Sequence, residues 1–152
     1  MICIILEPRI SGSKADDTIQ SLGFSRNFKE ESRGFSGGIW ILWDDKQVQL
    51  NILASKHQFV HFSFSHDGNL IICTAIYGSP MTTIRESLWD DLKQLSNSIS
   101  NLWYLMGDFN AYLGKEEKMG SPFIPFTSCR KFQNVISSYN LIDIGFSGPK
   151  FT

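Results

Sequence analysis

Apolar residues fall along this chain in two rhythms. Ile2–Leu6, Leu70–Ile76 and Leu102–Met106 are short, continuous apolar runs, which predicts strands covered on both faces. Ile39–Trp43, Val48–Leu53 and Phe59–Phe64 read as further strands, the last with Val60, Phe62 and Phe64 on one face. Asp44-Asp45-Lys46 and His66-Asp67-Gly68-Asn69 carry the residues of hairpin turns between them. The second rhythm is helical. Ser13 is placed to cap a helix running to Leu22, with Asp16 and Asp17 in its first turn and Gly23 as its stop. Thr83 and Glu86 have capping-box spacing, and Ile84, Leu88, Leu92, Leu95 and Ile99 follow as one apolar stripe. Phe132, Val135, Ile136 and Tyr139 repeat at helical spacing behind Ser128. Many strands in mostly antiparallel succession with a few helices predict a layered α/β domain.

Each of the three apolar runs leads into polar residues: Glu7 after the first, Tyr77-Gly78-Ser79-Pro80 after the second, Gly107-Asp108-Phe109-Asn110 after the third. A rigid strand followed by a tight turn holds a polar side chain well at a pocket rim. Each also has a purely local explanation. Asp108 and Asn110 suit turns, Tyr77 suits a core, and Glu7 suits a solvated strand end.

Composition narrows the choice. With 42% hydrophobic, 13% aromatic and 19% charged residues, the chain carries enough apolar surface to bury a core, which excludes disorder. Fourteen Lys and Arg face fifteen Asp and Glu, so the basic surplus of a protein that coats nucleic acid is missing. An enzyme touching a few phosphates around one bond needs no such surplus. Cys3, Cys73 and Cys129 form no CxxC pair, so neither a zinc ribbon nor a redox motif is indicated. Cys3 and Cys73 read as buried thiols in a reducing, intracellular setting. The first apolar run, broken at Glu7, is too short for a signal segment or a membrane span. His57 and His61 have an H-x₃-H spacing. On a strand rising ~3.3 Å per residue their rings stand ~13 Å apart, too far to share an ion. Gly34, Gly37 and Gly38 precede a strand with no Lys-Ser/Thr following, which argues against a phosphate-cradling loop and for backbone relief near a site.

Taken together, four segments resemble one family. Leu102 to Asn110, Leu-Trp-Tyr-Leu-Met-Gly-Asp-Phe-Asn, is similar to the apolar strand and GDFN motif of the endonuclease/exonuclease/phosphatase family. Ile4-Ile5-Leu6-Glu7-Pro8-Arg9 resembles its LLETK element, with Pro-Arg in place of Thr-Lys. Gly34-Phe35-Ser36-Gly37-Gly38-Ile39 resembles its SGG segment, and Tyr77-Gly78-Ser79-Pro80 its Y-x-x-P strand end. All four occur in family order, and the tail to Phe151-Thr152 resembles the approach to its FTW motif. The nearest likeness is to the endonuclease domain of plant LINE-type (non-LTR) retrotransposons.

The resemblance implies an incomplete two-sheet α/β sandwich, DNase I-like, with helices packed outside, residues 1–152 being a single partial domain. It implies metal-dependent phosphodiester hydrolysis of DNA, using Mg²⁺ or, in its place, Mn²⁺, in an intracellular and nuclear setting without a membrane. Glu7 matches the family's metal ligand. Asp108 matches the residue that orients or deprotonates the attacking water. Asn110 matches the phosphate-binding Asn, and Tyr77 the Tyr that contacts phosphate or shares in proton handling. The family's first strand with its metal-linked Asn, and its terminal Asp and Asp-His pair, have no counterpart in this sequence, so impaired activity is the expectation. The alternatives are a non-catalytic retroelement remnant, or a phosphomonoesterase of the same family.

Overall fold

Among the described residues the chain forms ten elements: β1 (Ile2–Leu6), α1 (Gly12–Ser21), β2 (Arg26–Glu30), β3 (Ile39–Trp43), β4 (Leu50–Lys56), β5 (Phe59–His66), β6 (Asn69–Tyr77), α2 (Thr82–Ser96), β7 (Leu102–Asp108) and α3 (Phe126–Ser138). The computed structural model describes residues 1–32, 37–114, 117 and 126–145. Gly34, Phe35 and Ser36, the tail from Phe146 to Thr152 and the side chain of Ser128 lie outside the described residues.

β3 shows why two layers form. It is buried at all five positions, so both of its faces need cover. Ile39, Ile41 and Trp43 face a second sheet, and Trp40 and Leu42 pack under Ala15 and Ile19 of α1. The strands join as β1-β3-β2 and β4-β5-β6-β7. All pairs are antiparallel except β6 with β7, which run parallel. A parallel pair needs a crossover, and α2 supplies it. The helical side of the second sheet is filled by Ile76, Leu88, Leu92 and Val135, with Trp103, Leu105 and Phe109 partly buried against them. The result is an α/β sandwich with helices outside both sheets.

Several expectations shift in the structure. The turn at Asp67-Gly68 closes a two-residue hairpin with positive φ at both residues (49° and 77°), the backbone twist that matches flanking strands. Asp44-Asp45-Lys46 also turns, but carries the chain from one sheet to the other. β2 was not anticipated, because Phe28 is its one large apolar residue. Ser13 does not cap α1. The helix starts at Gly12 after Ser11, and Asp16 lies beyond the first turn, bonded to Lys29 at 2.7 Å. Thr83 likewise sits inside α2, whose N-cap is Met81, so the capping box is not made.

The largest correction concerns β7. Its Trp103 and Leu105 pack toward the helices, but Leu102, Tyr104 and Met106 are 59%, 38% and 37% exposed. β7 is the edge of its sheet. Those three residues share the inter-sheet face with Ile71, Cys73 and Ala75, at a margin that the first sheet does not cover. β1, also at an edge, is half-buried throughout.

Candidate functional site

Three strand ends meet at one end of the sandwich. β6 and β7 run parallel with Tyr77 opposite Asp108, so both side chains belong to the inter-sheet face. The close pairing there depends on two glycines. A methyl at Gly107 (φ 134°) would stand 2.0 Å from the carbonyl oxygen of Ile76, and one at Gly78 would stand 2.3 Å from that of Phe109. Without side chains, the Gly78 N–H reaches the Asp108 carbonyl at 2.7 Å and extends the ladder past the last strand pair.

Beyond Asp108 the chain divides its side chains between two surfaces. Phe109 goes to the helical side, its ring 4.9 Å from that of Phe132. Asn110 takes a left-handed φ of 48°, which Asn tolerates better than most residues. Its backbone N–H donates to Asp108 Oδ1 at 2.8 Å, and its Nδ2 donates to the Gly78 carbonyl at 2.8 Å. Asn110 is thereby tied to both neighbouring strand ends.

Glu7 arrives from the other sheet. Leu6 packs into the inter-sheet core while Cys3 and Ile5 face α1. Strict alternation would send residue 7 to the α1 side. A φ of 51° breaks the alternation, with the Glu7 N–H held by the Gly38 carbonyl at 3.0 Å. Such a backbone costs of order 1 kcal/mol for a non-glycine residue. It brings the carboxylate to the Tyr77 phenol. That hydrogen bond, and after it the bond and charge of Arg9, hold the Glu7 carboxyl below its ordinary range against an opposing desolvation. Arg9 Nη2 lies 3.0 Å from Glu7 Oε1, on a side chain 66% exposed. The structure thus gathers Glu7, Tyr77, Asp108 and Asn110 at one end of the sandwich, with Tyr77 linking the two sheets.

The histidines stay out of this set or at its border. His61 is buried and shares a 2.8 Å hydrogen bond with Thr74 Oγ1, which also accepts from the Trp103 indole at 2.8 Å. Burial lowers its pKa, so it is a neutral structural group. His66 is exposed beside Asp67. His57 occupies the turn between β4 and β5 rather than a strand, with Gly37 between its ring and that of Tyr77. Cys73 is buried, its thiol pushed up to about 11, and Cys3 is only partly buried.

Two residues at the site were not anticipated. Gln58, in the turn beside His57, accepts from Ser79 N–H at 2.7 Å and donates to the Ile84 carbonyl at 3.0 Å. Arg85 is buried and donates to the carbonyls of Ser79 at 2.6 Å and Pro80 at 3.3 Å. A signal for Arg85 did exist: it shares a helical face with Leu88 and Leu92, the buried residues of α2. The stripe expected through Ile84 is rotated accordingly, and Ile84 is 42% exposed.

No protein-family model and no curated protein sequence matches the chain. Among solved structures it is similar to the endonuclease domain of TRAS1, a telomere-specific non-LTR retrotransposon. The TM-score is 0.61 at 14% identity, over 90% of this chain and 70% of that one. Truncated Caenorhabditis elegans TDP2 is a looser likeness, with TM-score 0.47 and 14% identity over 80% of this chain and 53% of that one. The likeness to the TRAS1 domain, with two sheets and flanking helices, establishes a DNase I-like fold.

Proposed function

We propose that this domain hydrolyses phosphodiester bonds in DNA with a divalent cation, as an endonuclease of the retrotransposon type. The observation that supports it most is the Tyr77 phenol on Glu7, which joins the first sheet's carboxylate to the strand end that carries Asp108 and Asn110.

The donor chemistry suits a hydrated Mg²⁺ or Mn²⁺. Glu7 is a hard oxygen donor kept ionised by its neighbours, and its Arg9 partner is exposed and easily released. No group of three or more His, Cys, Asp or Glu suited to a metal occurs among the described residues, so an ion held by Glu7 would keep most of its waters. Glu7 would hold that ion, which when bound neutralises charge on the phosphodiester.

The chain's own groups account for the rest. Asp108 Oδ1 is engaged by the Asn110 N–H, leaving Oδ2 to orient the attacking water and take its proton. One hydrogen of the Asn110 amide is spent on Gly78, and the second is available to a phosphate oxygen as charge develops there. The Tyr77 phenol, hydrogen-bonded to Glu7, would help to fix that carboxylate.

The test is nicking of supercoiled plasmid by the 152-residue chain with Mg²⁺ or Mn²⁺ and with a chelator. Open circles should accumulate with metal alone. Intact plasmid under both metals would overturn this reading and leave the non-catalytic one. Faster phosphate release from a nucleotide or inositol phosphate than nicking would favour a phosphomonoesterase.

A further inference from the structure

We infer that Arg85 is a positioning residue of this site: its buried guanidinium, together with Gln58, holds the Tyr77-to-Pro80 turn in the shape that sets Asn110 and Tyr77 beside Asp108. The kinetic part of this inference rests on the phosphodiesterase reading. The geometric part does not.

Buried backbone groups require partners, and in this turn each one identifies what shapes it. The Tyr77 N–H goes to the Gln58 carbonyl at 3.0 Å, and the Gly78 N–H to the Asp108 carbonyl. The Gly78 carbonyl takes Asn110 Nδ2. The Ser79 N–H goes to Gln58 Oε1, and the Ser79 and Pro80 carbonyls take Arg85 Nη1. Arg85 Nη2 also reaches Thr82 Oγ1 at 3.3 Å. One side of the turn is therefore bound to the site residues, and the other to Gln58 and Arg85. The Gly78 carbonyl that anchors Asn110 sits one residue from the Ser79 carbonyl that anchors Arg85, so a shift at one moves the other.

Energetics argue that Arg85 is not there for packing. Its side chain is 8% exposed, and no carboxylate pairs with it among the described salt bridges. Burial works against its charge, and the Asp108 carboxylate supplies an offsetting attraction. It also lies near the N-terminus of α2, where the helix dipole opposes a cation. A leucine or methionine on the same face as Leu88 and Leu92 would meet neither cost. What an apolar side chain cannot do is satisfy two neighbouring carbonyls and face Asp108 at once. A lysine, with a point charge rather than a planar fork, does so poorly.

The experiment uses Arg85→Met, Arg85→Lys and Arg85→Ala in the full 152-residue chain. Nitrogen-resolved NMR follows the Asn110 side-chain amide and the Gly78 N–H, with the Trp40 indole as a report on the distant core under α1. In Arg85→Met both site signals should move while Trp40 stays. Mg²⁺-dependent kcat should fall roughly 10²-fold with KM changed less than about threefold, the pattern of lost positioning. Added guanidinium ion should restore part of the rate to Arg85→Ala and none to the parent protein. If Arg85→Met loses the Trp40 signal by unfolding, Arg85→Lys, which keeps charge and stem, carries the same comparison. Unmoved Asn110 and Gly78 signals in a folded variant, or kcat within about threefold of the parent, overturn the inference. A parent chain that does not nick removes the phosphodiesterase reading instead, and the two NMR signals then decide alone whether Arg85 holds the turn.

Discussion

Replacing Tyr77 with Phe removes one oxygen and leaves the ring in place, which isolates the link between the two sheets. Tyr77 is 5% exposed and its ring belongs to the inter-sheet core, so the substitution opens no cavity. It removes the bond to Glu7. A hydrogen bond to a charged group contributes about 1.5–3 kcal/mol, and the Glu7 side chain is 31% exposed, where water competes, so the lower end applies: about 1.5 kcal/mol at pH 7. The sign with pH follows from the direction of the shift. Glu7's folded pKa lies below its ordinary value near 4.5, so the stabilisation is present above that value and lost as pH falls through the folded one. Urea unfolding of both proteins across this range should show the Tyr77→Phe penalty intact at neutral pH. It should shrink to about 0.5 kcal/mol in acid, where only a neutral bond is lost. Carbon NMR of the Glu7 carboxyl should show its pKa rising part of the way back, since Arg9 remains. A penalty that does not change with pH would refute the link as an ionic one, and no penalty at pH 7 would remove it.

Asp108→Asn keeps the Oδ1 acceptor used by the Asn110 N–H and deletes the charge. Unfolding free energy should fall by no more than about 1 kcal/mol, from the lost attraction to Arg85, while metal-dependent nicking per folded molecule falls roughly 10²-fold or more. A shifted melting temperature with cleavage retained would make Asp108 a turn former only. Gly107→Ala should lower stability by roughly 3–5 kcal/mol in urea, because its methyl meets the Ile76 carbonyl at 2.0 Å. An unchanged midpoint would mean that β6 and β7 pair differently. The edge row of Leu102, Tyr104 and Met106 should make the chain associate as concentration rises on gel filtration, and Met106→Lys should reduce that association. A parent chain that elutes as a monomer at every concentration counts against it.

Apolar runs revealed β1, β3, β5 and β6 to within a residue or two, because burial on one or both faces leaves a period that needs no tertiary information. β2 carries too little apolar surface to be seen, its place being set by pairing with β3 and by Lys29 bridging Asp16 and Glu31. β7 shows the opposite limit. An apolar run states what a strand could bury, not whether its sheet covers it, and half of Leu102–Met106 faces an open margin. Helix ends were misplaced where side-chain capping was assumed, since neither Ser11 nor Met81 makes a side-chain cap. Of the site, Glu7, Tyr77, Asp108 and Asn110 were legible through a resemblance in order and spacing. Their convergence was not, because it depends on the left-handed turn at Glu7. Arg85 carries little signal of its own, since an arginine is mostly a surface residue, although its Leu88 and Leu92 neighbours mark the face as buried.

The bridge between Glu7 and Tyr77 also has a consequence for how the molecule comes into being. Glu7 closes a strand of one sheet and Asp108 a strand of the other, so neither sheet alone holds the constellation. Contacts between such distant stretches of chain carry the largest loop-closure entropy and form slowly. During refolding, hairpins such as that at Asp67-Gly68 can appear early, while the Glu7 carboxyl keeps the titration of an unfolded chain. The largest cause of its lowered pKa, the Tyr77 bond, forms only when the sheets dock. The ionisation of one carboxylate is therefore a clock for the last step of assembly, readable without substrate.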